Sequence, residues 1–101
     1  MKRALNVEAM EISGMPSLDA IQVYWEDFGE NRGRVTITCY GEAWTAYWNA
    51  MPEPTIQEFF VKADIDYIAK RIQGSQFQKR TQGHLTYLKS IVRAIKAELK
   101  P

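Results

Sequence analysis

The stretch Ile21-Gln22-Val23-Tyr24-Trp25-Glu26-Asp27-Phe28-Gly29-Glu30-Asn31-Arg32-Gly33-Arg34-Val35-Thr36-Ile37-Thr38-Cys39 decides the fold. Ile21, Val23 and Trp25 alternate with Gln22, Tyr24 and Glu26, and Val35, Ile37 and Cys39 alternate with Thr36, Thr38 and Tyr40. A period of two, rich in β-branched and aromatic residues, marks a half-buried strand. Between the two runs lies a polar loop with Gly29 and Gly33 at its ends, which makes the whole stretch an antiparallel hairpin. The loop is expected to project, with aromatic and acidic side chains at its base.

Upstream, Leu5 to Ile12 mixes apolar and polar positions, but the alternation slips between Ala9 and Met10, which points to a bulge or an edge position. Gly14-Met15-Pro16-Ser17 reads as the turn that follows. Downstream, Gly41 breaks the strand pattern, and residues 42–51 fit two periods. Trp44, Tyr47, Trp48 and Met51 fall at helical spacing, whereas Trp44, Ala46, Trp48 and Ala50 alternate. Three alanines tip the reading toward a short helix. Pro52 and Pro54 then end the segment, since neither can donate a backbone hydrogen bond.

The second half reads as helices. Thr55-Ile56-Gln57-Glu58 fits a capping box with Phe59 and Phe60 behind it. Asp64 either continues this helix or caps a second one through Ile65, Ile68 and Ile72. Residues 73–78 are polar and read as a loop. Leu85, Leu88, Val92, Ile95 and Leu99 form one apolar stripe on a final helix from about His84 to Leu99. Strands first and helices after give an α+β fold: an antiparallel sheet of three or four strands with two to three helices packed on one face. Residues 1–101 form one domain, with 5–51 mainly sheet plus a short helix and 55–100 helical. Ile21, Val23, Trp25, Val35, Ile37 and Cys39 should face Leu85, Leu88, Val92 and Ile95.

Composition excludes whole classes. With 101 residues, 46% hydrophobic and 25% charged, the chain is neither disordered nor fibrous and can bury a core unaided. It has no apolar run of membrane-spanning length and no signal-peptide core, so an unexported, cytoplasmic protein is expected, without membrane contact. The single Cys39 suits a reducing compartment and fits a small buried hydrophobe. With one cysteine and one histidine, His84, a structural zinc site is excluded. His84 has no orienting acid or nucleophile beside it and reads as a surface or capping residue. Glu26 and Asp27 point to opposite faces of a strand, and Asp64 and Asp66 fit helix initiation better than metal binding. Gly29 to Gly33 lacks the lysine and following helix of a phosphate loop. No cofactor, metal or catalytic residue is expected, and the protein is read as not an enzyme.

Charge is uneven. Residues 1–67 hold five basic and eleven acidic side chains, net −6, whereas residues 68–101 hold eight basic ones against Glu98 alone, net +7. Either the two parts neutralise each other on folding or a basic flank meets an anionic partner. Lys89, Arg93, Lys96 and Lys100 form a row about a quarter turn from the apolar stripe of the last helix. That row is either a solvated face or a strip for a phosphate backbone. Ten of the twelve aromatic residues fall between Tyr24 and Tyr67, accompanied by acids, which favours a protein interface over single-stranded nucleic acid. Tyr24, Glu26, Asp27, Phe28, Glu30 and Arg32 are the candidate protein-binding residues. Lys89, Arg93, Lys96 and Lys100 are the alternative, for an anionic partner such as nucleic acid. Either a monomer or a homodimer fits.

One further feature is a resemblance. Gly33-Arg34-Val35-Thr36-Ile37-Thr38-Cys39-Tyr40-Gly41-Glu42-Ala43-Trp44-Thr45-Ala46-Tyr47-Trp48, then Thr55 to Phe60, Asp64 and Tyr67, resembles small proteins encoded by tailed phages and prophages of enteric bacteria. The similarity spans roughly residues 19–72, with an echo in the last helix. It implies a role in phage or prophage biology inside the bacterial host cell. It carries over no catalytic or binding residue. Small phage proteins of this kind include host-defence inhibitors and partners of DNA-processing machinery. The resemblance therefore implies a non-enzymatic accessory protein that binds and occludes a bacterial or phage protein.

Overall fold

The computed structural model describes residues 1–75 and 81–99, so Lys100 and part of the expected 73–78 loop lie outside the described residues. The elements run β1 (Val7–Ile12), β2 (Ile21–Gly29), β3 (Arg32–Cys39), β4 (Glu42–Trp48), α1 (Ile56–Lys62), α2 (Ile65–Gln73) and α3 (Gln82–Leu99). The four strands form one antiparallel meander in the order β1-β2-β3-β4. The architecture is α+β, with the helices layered on one face of the sheet.

Period two sets the register of β2 and β3. Val23 pairs with Ile37 and Trp25 with Val35, and all four side chains are buried on the helix side. Ile21 and Cys39 are buried with them. The two-residue turn Glu30-Asn31 closes this hairpin with both φ angles positive (55° and 57°), the handedness that matches strand twist. The irregularity lies in β2 between Asp27 and Gly29. In β1 the pairing runs without a break from Val7↔Glu26 to Ile12↔Ile21, so the slip near Ala9 marks an edge strand rather than a bulge.

Residues 42–48 are a strand, and the helix expected over 42–51 does not form. Tyr40 (φ 52°) and Gly41 (φ 74°) make a second two-residue turn, and β4 pairs with β3 from Cys39↔Glu42 to Gly33↔Trp48. Trp44, Ala46 and Trp48 are buried while Tyr47 is exposed. Alanine's helical preference amounts to under about 1 kcal/mol per residue. It loses to a ladder that also buries two tryptophans.

Thr55 caps α1, its hydroxyl accepting from the Glu58 N–H at 3.2 Å. Asp64 opens a separate helix, its carboxylate accepting from the Tyr67 N–H at 3.3 Å. The start of α1 presses on β3 so closely that a Cβ at Gly33 would lie 2.8 Å from the Ile56 Cβ. Trp25 meets the Phe60 ring edge-on at 5.1 Å. α3 buries Leu85, Leu88, Val92 and Ile95 as expected, and Ile91 and Ala94 besides. It packs chiefly on α2 and reaches the sheet at β1 and through Tyr87, whose ring lies 6.0 Å from that of Trp44.

Candidate functional site

Because the helices occupy one face of the sheet, the other face carries only side chains of opposite parity. Tyr24 stands between Ala9 and Thr36, Glu26 between Val7 and Arg34, and Arg34 between Glu26 and Tyr47. Val7, Tyr24 and Tyr47 are exposed there. Near the Glu30-Asn31 turn four of these side chains are organised. Arg34 Nε donates to Glu26 Oε1 and Arg34 Nη2 to Glu26 Oε2, both at 2.8 Å. The same guanidinium lies 5.4 Å from the centre of the Phe28 ring, and Phe28 meets Tyr47 at 5.9 Å and 62°. The hydrogen bond from Arg34, with its charge, holds the Glu26 carboxyl below its ordinary pKa against the opposing effect of burial. The pair therefore stays ionised at neutral pH, fixes two long side chains and leaves Phe28 and Tyr47 pre-positioned. A rigid aromatic and arginine cluster is the usual chemistry of a binding hot spot.

Of the six residues expected to bind protein, Tyr24, Glu26 and Phe28 lie on this face. Asp27 points the other way: its Oδ1 accepts from the Ile56 N–H at 2.7 Å and satisfies an otherwise orphaned donor at the start of α1. Glu30 stands exposed at the hairpin tip. Arg32 folds back on the turn, with its guanidinium donating to the Gly29 and Phe28 carbonyls, each at 3.4 Å. The loop does not project freely. The Met51 N–H donates to the Asn31 carbonyl at 2.8 Å, and the Asn31 side chain donates to the Glu53 carbonyl at 3.0 Å. Arg34 and Tyr47 were missed as site members. The parity of β3 already put Arg34 with Thr36 and Thr38, whereas Tyr47 was hidden by the helical reading of β4.

The basic row of α3 is partly engaged from within. Lys89 Nζ lies 2.8 Å from Asp66 Oδ1, and Lys70 lies 3.0 Å from Asp66 Oδ2. These two cations, Lys89 first, lower the Asp66 pKa. Lys96 Nζ donates to the Val61 carbonyl at 2.8 Å and to the Ala63 carbonyl, and so caps the end of α1. Arg93 is exposed.

Of the cysteine and histidine weighed for chemistry, Cys39 is buried and His84 is not fully so. His84 is half-buried, its ring centroid 6.1 Å from those of Trp44 and Tyr87, and neither ring nitrogen has a hydrogen-bond partner. The Cys39 thiol donates to the Asp19 carbonyl at 3.6 Å. Burial and, after it, the neighbouring Cys39 push the Tyr87 phenol well above its ordinary pKa, although its hydroxyl makes no well-formed hydrogen bond. Among the described residues no three His, Cys, Asp or Glu side chains are grouped to hold a metal ion, and no helix is long and apolar enough to cross a membrane.

No curated protein and no solved structure matches the chain. A family model described as a phage family matches residues 2–100. That range takes in all four strands, all three helices and the whole open face of the sheet. The chain belongs to this phage family.

Proposed function

We propose that the protein is a non-enzymatic phage accessory protein that binds a bacterial or phage protein target, such as a host-defence component, and occludes a functional surface on it. The observation that carries this reading is the uncovered sheet face, where Phe28, Tyr47 and the Glu26–Arg34 pair form an ordered cluster beside the exposed Tyr24. Aromatic side chains and arginine supply most of the energy of typical protein interfaces, and ordering them in advance lowers the entropy lost on binding. A nucleic-acid interface is less well supported, since Lys89 and Lys96 already hold internal partners.

The test is a pull-down from infected or lysogenic cells with the wild type and with the double variant Tyr24→Ala, Tyr47→Ala. Each exposed hot-spot truncation should weaken capture by about 2 kcal/mol, so the double variant should lose its partner while its melting temperature holds. Undiminished capture by the folded double variant would remove the open face from consideration. Salt-sensitive retention of DNA, insensitive to both substitutions, would move the function to α3.

A further inference from the structure

A second surface lies along α3. A groove of about 620 Å³ runs between the β1–β2 connection and α3. Met15, Pro16 and Leu18 form one wall, and Ala94 and Ala97 line the helix side. Arg93 is the one charged residue lining it, and its guanidinium has no hydrogen-bond or ion-pair partner among the described residues. Arg93 and Ala97 also border a neighbouring depression formed with Ala63, Asp64, Ile65 and Lys96. Arg93 therefore stands at the junction of two hollows along α3, the second of which also carries Asp64, whose carboxylate caps α2, and Lys96, which donates to the Val61 and Ala63 carbonyls.

We propose that this trough is a docking site for a segment of a protein partner that carries a carboxylate between apolar side chains. Three features select that occupant. The guanidinium offers a planar fork that a carboxylate fits in two hydrogen bonds. The two open hollows share Arg93 and Ala97 as lining, so a peptide lying along α3 reaches both. A phosphate backbone would call for several cations in a row, and Lys89 and Lys96 on either side are turned to Asp66 and to the end of α1. The segment's carboxylate sits on Arg93, one apolar side chain enters between Leu18 and Ala94, and another covers Ile65.

The experiment is an NMR titration of the isotope-labelled full chain with two pools of short, end-blocked peptides. One pool has a central Asp with Leu, Ile, Phe or Met three or four positions away, and the other has Asn in place of Asp. The acidic pool should shift the amides of Leu18, Ser90 and Ala94, and the Asn pool should bind about tenfold more weakly. Arg93→Glu should abolish the shifts, and so should Ala97→Trp, which fills the trough from an exposed position. Melting curves establish that both variants fold. The proposal fails if the acidic pool shifts none of these amides at millimolar concentration, or if its binding survives Arg93→Glu. It also fails if a DNA duplex shifts them while the peptides do not.

Discussion

Glu26 and Asp27 are neighbours in the chain with opposite tasks. Strand parity turns Glu26 to the open face and Asp27 toward α1. Asp27→Ala would leave the Ile56 N–H without its acceptor, so it should destabilise the fold by about 1–2 kcal/mol in urea denaturation. Asp27→Asn, which keeps an acceptor oxygen, should recover much of that. Glu26 answers to pH instead. Its folded pKa lies below the ordinary value of 4.5 because Arg34 favours the ionised form. The stability it contributes is therefore fully present above that ordinary value and is lost as pH falls through the lowered one. Arg34→Gln should flatten the acid limb of stability measured from about pH 6 down to about pH 3. It should also release Phe28 and Tyr47 from a fixed arrangement. The opposite facing of Glu26 and Asp27 was legible from parity alone, but the partner of Asp27 was not. Its acceptor role depends on a backbone N–H twenty-nine positions away, which no local pattern encodes.

At the scale of elements, the instructive case is β4. The run Trp44 to Trp48 satisfies both periods, and the deciding signal is the turn before it. Tyr40 occupies left-handed backbone at φ 52°, a conformation that bulky residues rarely adopt, so the turn has no conventional signature at its first position. Gly41 at φ 74° is the permissive half of the pair. Gly41→Ala should cost about 1 kcal/mol or more through strain alone, since a Cβ there meets nothing within 4 Å; thermal melting measures it. A helix over 42–51 would instead make this glycine indifferent. Where period and turn agree, as in β2 and β3, the elements could be read directly. The α1–α2 break was readable as one of two options, because Asp64 is a strong cap wherever a helix can start. One of the four members of the open-face cluster was out of reach while β4 was read as a helix, since Tyr47 then had no sheet to stand on.

On the scale of the whole molecule, the split of charge between the two parts of the chain is partly closed by folding. Asp66 from the acidic part meets Lys70 and Lys89 from the basic part. Lys96 ties the last helix to the end of α1 through two backbone carbonyls. Lys96→Met should therefore destabilise the protein by about 1–3 kcal/mol, because those carbonyls lose a charged donor. Lys89→Ala, at a partly exposed pair, should leave the melting temperature nearly unchanged. Substitutions meant to probe the charge of α3 belong at Lys89 and Arg93 for that reason. The order of the elements has a consequence for synthesis. The four strands form consecutive hairpins and leave the ribosome ahead of the helices, and α3 emerges after α1 and α2. Its six buried apolar side chains contribute on the order of 10 kcal/mol of gross burial, as much as the net stability of a typical domain. A nascent chain that stops short of α3 thus presents the bare flank of Ile68, Ala69 and Ile72 to proteases. A nonsense codon anywhere ahead of that helix should have the same phenotype as deleting the gene.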